Sequence, residues 1–346
     1  MPGLARLNLL VGLNGSGKTA LLEALELLIT GGGRFYFPLL RRGETFPEDP
    51  NSPSQELEYD IRRLFHGREI RRGASLEVAA QEDQSARRVC LEVVRTASAR
   101  ESDVTHGTAE GTGPPEGTVL VVRGAPPVTG GNIALTPRLG WCPGAGSVPQ
   151  PALPGEEGML YIILPTGPWS GERVRVLWKN IVLADDKRRV LGALRLLDRD
   201  VEEIDFVGAH PSDLRREACG FVVKHAAWWR PVPIGSLGDG IWRVFVLATA
   251  LVSARGSLLL VDEIGTGLHY SVMADVWRMM LATAEHLDVQ VFATTHSLDC
   301  INALSEVCAD APAGSISLHR IEPHKREAVT YPGEGAHQVP PGRGQG

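Results

Sequence analysis

The feature that most constrains the fold of this chain is a glycine-rich segment near its amino end. Residues 12–19 read Gly-Leu-Asn-Gly-Ser-Gly-Lys-Thr and fit the pattern G-x-x-x-x-G-K-[ST]. The apolar run Leu7–Val11 precedes the segment, and leucines at helical spacing follow it. This context predicts a strand, a tight turn and a helix. Glycines let successive backbone N–H groups converge on an anion, and the start of the helix adds its positive dipole end, so the turn is predicted to bind phosphate.

The same segment supplies two side chains with predicted roles. Lys18 is expected to bridge the β- and γ-phosphates of a nucleoside triphosphate, and the Thr19 hydroxyl to bind Mg²⁺. The alternative, a glycine-rich turn that ends in Lys-Thr by coincidence, is disfavoured by the flanking strand and helix. The candidate nucleotide-binding residues are Gly12, Leu13, Asn14, Gly15, Ser16, Gly17, Lys18 and Thr19.

A second segment combines an apolar strand with two carboxylates. Leu258–Val261 is entirely apolar, and Asp262 and Glu263 follow it directly. Asp262 is predicted to contact Mg²⁺, and Glu263 to orient or deprotonate the attacking water. An ordinary solvated acidic loop is the alternative for such a pair taken alone. The presence of the Lys-Thr loop earlier in the chain favours the functional interpretation.

Two further polar segments lie beside predicted strands and helices. His296 ends an apolar strand, where it is predicted to hydrogen-bond the γ-phosphate or the lytic water, since ligands bind at the carboxyl ends of parallel strands. Capping of the next helix by His296 and Ser297 is the alternative. Residues 236–240, Ser-Leu-Gly-Asp-Gly, begin an amphipathic helix and present donors to an anion. A plain helix cap remains the competing interpretation of that segment.

The order of apolar segments predicts the fold class. In the last third of the chain, apolar strands alternate with amphipathic helices, which is typical of α/β proteins with a largely parallel sheet. Residues 75–78 and 89–93 alternate apolar and polar side chains, and they predict an antiparallel pair. The predicted fold is an α/β P-loop NTPase fold, with a mainly parallel sheet flanked by helices and an additional antiparallel β lobe.

Two stretches depart from this regular pattern. Residues 97–158 are rich in Gly, Pro, Thr and Ser, and they predict an irregular insertion with one strand-like run at 118–122. Residues 332–346 are rich in Pro and Gly and predict a flexible tail.

Composition excludes several classes of protein. The 346 residues are 43% apolar, and the formal net charge of −6 argues against a globally basic nucleic-acid coat. The five cysteines include no C-x-x-C pair, so neither a disulfide framework nor a zinc site is predicted. The sequence has no basic-then-apolar leader and no apolar run of about 18 residues. We therefore expect a cytoplasmic protein with no membrane contact.

One local concentration of arginine lies between residues 62 and 88. We interpret it as a solvated charged face, and nucleic-acid contact is the alternative that stays open. The arginines are Arg62, Arg63, Arg68, Arg71, Arg72, Arg87 and Arg88.

The four motif segments, in this order, resemble the ABC-type ATPase heads. The similarity is to the branch related to the structural-maintenance-of-chromosomes (SMC) proteins and the overcoming-lysogenization-defect (OLD) ATPases, which have AAA-type core domains. It covers residues 4–30 and 234–331 well and the middle of the chain poorly. It implies one ABC-type head over residues 1–331, whose motif-bearing parts are 4–96 and 200–331.

The resemblance implies specific ligands and residue roles. ATP and Mg²⁺ are the expected cofactors, with Lys18, Glu263 and His296 catalytic and with Thr19 and Asp262 on the metal. No Asn/Thr-Lys-x-Asp segment occurs, so the guanine-binding aspartate of GTPases is lacking. In transporter ATPases the two phosphate-binding segments lie much closer together than residues 18 and 236 do in this chain.

In that family, two heads face each other across two shared ATP sites. Ser236, Gly238 and Gly240 are therefore expected to contact the γ-phosphate held by a second copy, with the turn 265–269 across the interface. This predicts a homodimer that forms on ATP and acts as a switch in DNA-associated or defence machinery. The alternative is a nucleotide-gated binding module with little turnover, which controls a separately encoded effector such as a nuclease.

Three departures from the family pattern are expected to matter. Few residues precede Gly12, so we expect the strand pair that helps hold the adenine to be lacking from this start. The glutamine that usually contacts Mg²⁺ has only weak candidates, Gln55, Gln81 and Gln84. Gly265-Thr266 replace a pair that is more often polar or acidic. The chain after His296 is also expected to be too short for the nuclease domain attached to many OLD ATPases.

Overall fold

The computed structural model describes fifteen segments of the chain, which form two compact units. One unit comprises Met1–Leu22 and Ala152–Gly346, and the other comprises Glu23–Pro151. The described residues are 1, 3–33, 35–42, 58–68, 70, 74–82, 85–96, 117–124, 131–135, 139–141, 161–167, 169–184, 186–208, 220–322 and 328–332. Most of the predicted insertion and nearly all of the predicted tail, residues 333–346, lie outside them.

Within these segments the strands and helices follow the order of the chain. The strands are β1 Leu7–Val11, β2 Tyr59–Asp60, β3 Ser75–Glu82, β4 Ser85–Thr96, β5 Gly117–Arg123, β6 Gly131–Leu135, β7 Gly140–Trp141, β8 Tyr161–Leu164, β9 Val201–Val207, β10 Gly220–His225, β11 Val232–Pro233, β12 Leu258–Val261, β13 Gln290–Thr295, β14 Ile316–Arg320 and β15 Val329–Pro332. The helices are α1 Lys18–Ile29, α2 Phe37–Arg42, α3 Gly171–Leu183, α4 Lys187–Leu194, α5 Asp239–Ser253, α6 Tyr270–Leu287 and α7 Leu298–Cys308.

The first unit is built on a six-stranded sheet in the order β15-β14-β1-β13-β12-β8. β1 pairs in parallel with β13 and β14, and β12 pairs in parallel with β13 and β8. Only β15 runs antiparallel to its neighbour. The predicted α/β fold with a largely parallel sheet is confirmed. Because β1, β8, β12 and β13 are parallel, the residues that follow them meet at one edge of the sheet.

Apolar side chains cover both faces of this sheet. All five residues of β1 are buried, as expected for a parallel strand between two layers of helices. Helix α6 buries side chains at intervals of three and four residues, including Trp277, which is among the largest fully buried residues with Phe245 and Phe292. Trp277 and Phe245 belong to one continuous core, which also contains residues of β1, β12 and β13, the strands that lead to the candidate site.

Helix α3 and strand β10 also belong to this unit, although the sequence did not predict them. Trp178 of α3 and Phe245 of α5 both make edge contacts with Phe221 of β10. A three-stranded antiparallel sheet, β11-β10-β9, completes this part. Helix α3 buries Val174, Leu177, Trp178 and Ile181, whose spacing is helical, so its periodic signal was present in the sequence.

The second unit contains the predicted antiparallel lobe. Strands β3-β4-β5-β6 form one antiparallel sheet, and β2 and β7 form a short second pair. Residues 75–78 pair with 89–92, as the alternation of the sequence predicts. The sequence predicts one strand between 97 and 158, whereas the described residues contain three, β5, β6 and β7.

Part of the arginine concentration between residues 62 and 88 is paired with acidic side chains in this unit. Asp60 binds Arg62 and Arg63, and Glu77 binds Arg88.

Helix α1 ends at the glycines that the sequence marks as its stop. Gly31 and Gly32 have φ of 59° and 84°, which is the left-handed region that glycine adopts most readily. No helix among the described segments is both long enough and apolar enough to span a bilayer.

Candidate active site

The glycine-rich loop lies between β1 and α1, as predicted. Gly15 and Gly17 have φ of 76° and 96° and open space where a Cβ would lie. At Gly12 a Cβ would approach the Ser16 hydroxyl at 2.5 Å and the carbonyl of Ile321 at 2.7 Å, so only glycine fits there. The loop therefore combines left-handed turns with a close approach between backbone segments, both of which require glycine.

A buried hydroxyl in the loop fits a phosphate ligand. Ser16 is only 8% exposed, and its Oγ has no hydrogen-bond partner in the part of the chain that the structure describes. Buried polar atoms in native proteins nearly always have a partner. An anion held by the loop would supply an acceptor for this hydroxyl, which agrees with the phosphate site predicted from the sequence.

Lys18 is buried at the start of α1, with 5% of its surface exposed. Its Nζ donates to the carbonyl oxygens of Gly12 at 3.0 Å and Leu13 at 3.1 Å. The same nitrogen lies 3.6 Å from Oε1 of Glu263. The lysine thus connects the loop with the carboxylate that follows β12.

Asp262 follows β12 and accepts hydrogen bonds from three threonine hydroxyls. Thr19 Oγ1 lies 3.1 Å from each carboxylate oxygen, Thr166 Oγ1 lies 2.8 Å from Oδ2, and Thr294 Oγ1 lies 2.7 Å from Oδ1. Asp262 itself is 8% exposed. Carboxylate and hydroxyl oxygens are hard ligands of the kind that Mg²⁺ prefers, so the pair Thr19 and Asp262 fits the predicted metal.

Glu263 has a backbone conformation that is uncommon for a residue other than glycine. Its φ is 49°, its N–H donates to Thr294 Oγ1 at 2.8 Å, and its carbonyl accepts the N–H of Thr266 at 3.0 Å. Its carboxylate lies between Lys18 and His296, whose Nδ1 is 2.8 Å from Oε2. Strained backbone of this kind clusters at functional sites.

The structure brings together Lys18, Thr19, Asp262, Glu263 and His296, which the sequence places far apart. The side chain of Glu263 is 17% exposed and that of His296 is 53% exposed, so the cluster opens to solvent at its histidine side. Such a group of a cation, two carboxylates and a histidine beside a phosphate-binding loop can hold a triphosphate and activate water.

Residues 236–240, which we call the signature segment, span the end of a 3₁₀ turn and the start of α5. Ser236 lies in the 3₁₀ turn Ile234–Leu237 and is exposed, Gly238 has φ of 100°, and Gly240 is in the first turn of α5. A Cβ at Gly240 would lie 3.4 Å from the carbonyl of Gly267, so this helix start packs against the turn 265–269. Among the described residues, no hydrogen bond joins Ser236 to Lys18 or Asp262.

Three site residues were not predicted from the sequence. Thr166 and Thr294 donate to Asp262, and the guanidinium of Arg243 donates to the carbonyls of Asp262 and Glu263. Burial lowers the pKa of Arg243, and the charge of Asp262 opposes that shift. Thr166 follows strand β8, so its place at the carboxyl edge of the sheet was the available signal.

Three glutamines were the candidates for the residue that usually contacts Mg²⁺. Gln81 lies exposed in β3, while Gln55 and Gln84 are outside the described residues.

Replacing Thr294 by valine is expected to destabilise the protein by about 2–6 kcal/mol. Thr294 is fully buried, and the change leaves the Asp262 carboxylate and the Glu263 N–H each without one partner, at about 1–3 kcal/mol apiece. Urea unfolding measures the difference. Thr249→Val is the control, because Thr249 is equally buried and its hydroxyl has no partner within the described segments. A loss for Thr294→Val no larger than the loss for Thr249→Val would contradict the assigned hydrogen bonds.

A family model for "AAA domain, putative AbiEii toxin, Type IV TA system" matches residues 7–99 and 229–301 of the chain. The matched segments contain the loop 12–19, the signature segment, Asp262, Glu263 and His296. In these segments the chain is similar to P-loop ATPase domains of the AAA type. This match confirms the resemblance to ABC-type ATPase heads that the four motif segments indicated.

Solved structures of SMC heads are also similar to this chain. An SmcHead bound to the C-winged helix domain of ScpA is 14% identical, with 96% of this chain and 92% of that chain covered and a TM-score of 0.48. The SMC head domain from Thermotoga maritima is 14% identical, with 94% and 90% covered and a TM-score of 0.38. An Smc head from Pyrococcus furiosus, bound to the C-terminal domain of ScpA, is 12% identical, with 97% and 93% covered and a TM-score of 0.43. No curated protein matches the chain.

Proposed function

We propose that this chain is a Mg²⁺-dependent ATPase whose composite sites form when two copies dimerise on ATP. The observation that carries the proposal is the convergence of Lys18, Thr19, Asp262, Glu263 and His296 beside the phosphate-binding loop. ATP is favoured over GTP, because the sequence has no Asn/Thr-Lys-x-Asp segment.

The residues of the site divide the chemistry among them. The loop N–H groups, Ser16 Oγ and Lys18 bind the phosphates, and Thr19 and Asp262 are the residues that would hold Mg²⁺. The metal, when bound, neutralises charge on the β- and γ-phosphates. A water oxygen forms a new bond to the γ-phosphorus while the bond to the β-phosphate oxygen breaks. Glu263 takes the proton from this water, and ADP is the leaving group.

His296 is suited to a role beside that base. Its Nδ1 contacts Glu263, and more than half of its side chain is exposed. We propose that Nδ1 orients the Glu263 carboxylate and that the other ring nitrogen faces the γ-phosphate.

The dimer proposal rests on exposed residues next to the site motifs. Ser236 and Gly238 are exposed, and in the described part of the chain no hydrogen bond joins them to Lys18, Thr19, Asp262, Glu263 or His296. This is expected for residues that act on a second copy. Leu13, Tyr270 and Leu298 are exposed apolar side chains, each within or directly beside a motif segment. A second copy that covers these motif segments would also bury the three side chains.

Mixing two inactive variants tests the shared site. Lys18→Ala and Ser236→Asp are each expected to abolish turnover, the second because its carboxylate repels the γ-phosphate. An equal mixture is expected to regain about a quarter of wild-type turnover, since half of the dimers are mixed and each mixed dimer keeps one intact site of two. Phosphate release measures this recovery. A mixture no more active than its separate components would contradict a site shared between two copies.

The biological role is proposed from the matched family. Its description names a toxin of a type IV toxin–antitoxin system, so we propose that the ATPase acts as a switch in defence machinery. A separately encoded effector, such as a nuclease, is the partner that this role requires.

One observation favours the second function, a nucleotide-gated binding module with little turnover. Lys18 contacts Oε1 of Glu263 and His296 contacts Oε2, so in this conformation both oxygens of the proposed base already have a partner. Steady-state phosphate release, with and without DNA, separates the two functions. Turnover of the wild-type chain supports the ATPase, whereas ATP binding without turnover supports the gated module.

A further inference from the structure

Arg243 is a part-buried cation that reaches the backbone of Asp262 and Glu263, the proposed metal ligand and the proposed base. It lies on α5, one turn after the signature segment, and its Nη2 is 3.4 Å from the carbonyl oxygen of Asp262 and 3.3 Å from that of Glu263. Its Nε is buried and has no hydrogen-bond partner in the described segments. A buried guanidinium is costly unless neighbouring groups of opposite polarity compensate for it.

The backbone that Arg243 contacts is the strained part of the site. Glu263 has left-handed φ, which a residue other than glycine keeps only where its surroundings hold it. Its N–H is held by Thr294, and its carbonyl is held by the N–H of Thr266 and by Arg243. Arg243 is therefore the side chain that anchors the carbonyl side of this residue.

The direction of the Glu263 carboxylate depends on that backbone. A change in φ at Glu263 would move Oε1 and Oε2 away from Lys18 and His296, which they contact at 3.6 and 2.8 Å. Small displacements of a catalytic group reduce the rate of the chemical step more than they reduce binding of the ground state.

We propose that Arg243 is a positioning residue, which fixes Glu263 in its left-handed conformation through the carbonyls of Asp262 and Glu263. The proposal rests on the proposed ATPase function. It goes beyond that function by assigning a role in the rate of hydrolysis to a residue whose hydrogen bonds, within the described part of the chain, go to two backbone carbonyls.

Steady-state kinetics of the full chain test this role. Arg243→Met keeps the aliphatic stem and removes every donor, and it is expected to lower kcat by about 10- to 100-fold while KM stays within about 3-fold. Arg243→Lys restores a cation with donors and is expected to recover part of the lost kcat. The matched control is Arg195→Met, because the Arg195 guanidinium also donates to two successive carbonyls, those of Val201 and Glu202, outside the site.

The outcomes separate this role from the proposed function. A thermal melt first establishes that each variant folds, and Arg243→Gln replaces the methionine variant if that one does not. Wild-type kcat in the folded variant, a rise in KM alone, or an equal loss of kcat in Arg195→Met would overturn the positioning role. A wild-type chain that turns over no ATP would overturn the proposed function and this role together.

Discussion

Glu263→Gln is expected to reduce ATP turnover by about 10²- to 10⁴-fold and to trap ATP in a dimer. The amide keeps the size of the side chain but does not take up the proton of the attacking water. The new side chain retains an oxygen that can accept from Lys18 or His296, so the phosphate-binding loop should remain intact. Phosphate release measures turnover, and size-exclusion chromatography under saturating Mg-ATP measures the dimer.

A second glutamate provides the control for this substitution. Glu285 lies in α6, where its carboxylate accepts the Ser315 hydroxyl at 3.0 Å. Glu285→Gln changes charge by the same amount and should leave turnover within about 2-fold, as expected for a surface substitution. Turnover that survives in Glu263→Gln would exclude Glu263 as the base. A variant that stays monomeric under Mg-ATP would count against dimerisation on ATP.

The sequence predicts those parts of the fold that depend on contiguous segments. β1 and β12 have the predicted bounds, because apolar runs that end at turns leave little choice of register. The phosphate-binding loop is likewise a local structure, in which eight consecutive residues carry the pattern. Helix α3 was missed although its buried residues are periodic, since charged residues interrupt the run on its exposed face.

The remaining site residues depend on the order of the strands. Thr166 reaches Asp262 because β8 pairs with β12 in the register Leu164 to Val261, which brings the ends of the two strands to the same level. Thr294 reaches Asp262 because β13 lies on the other side of β12. No local pattern specifies which strands become neighbours. The contacts of Thr166 and Thr294 with Asp262 could therefore not be predicted from the sequence.

Arg243 illustrates a second limit of sequence reasoning. Its neighbours in α5 are apolar and face the core, so a charged residue within that helix is most simply assigned to the solvent side. Its contacts with the turn after β12 arise only because α5 packs beside that turn. A part-buried charge of this kind becomes visible when tertiary structure supplies its compensating carbonyls.

Lys18→Ala is expected to abolish most ATP binding. The Lys18 ammonium is the cation of the loop, and one charge-assisted hydrogen bond of about 1.5–3 kcal/mol corresponds to an affinity loss of about 10- to 150-fold. At 100 times its dissociation constant, ATP should stabilise the wild-type fold by about 2.7 kcal/mol. At the same concentration, a variant with 100-fold weaker affinity should gain only about 0.4 kcal/mol. Thermal melts with and without Mg-ATP measure this difference.

The control for Lys18 is a lysine outside the site. Lys187 lies at the start of α4 and binds Asp205 at 2.8 Å and Glu203 at 3.4 Å. Lys187→Ala removes the same charge and should keep the full ATP-dependent stabilisation. Because Lys18 donates to the carbonyls of Gly12 and Leu13, its removal also frees these two acceptors. Melts without nucleotide separate that structural effect from the loss of binding. Undiminished stabilisation of Lys18→Ala by Mg-ATP would show that the triphosphate binds elsewhere, which would contradict the assignment of residues 12–19 as its site.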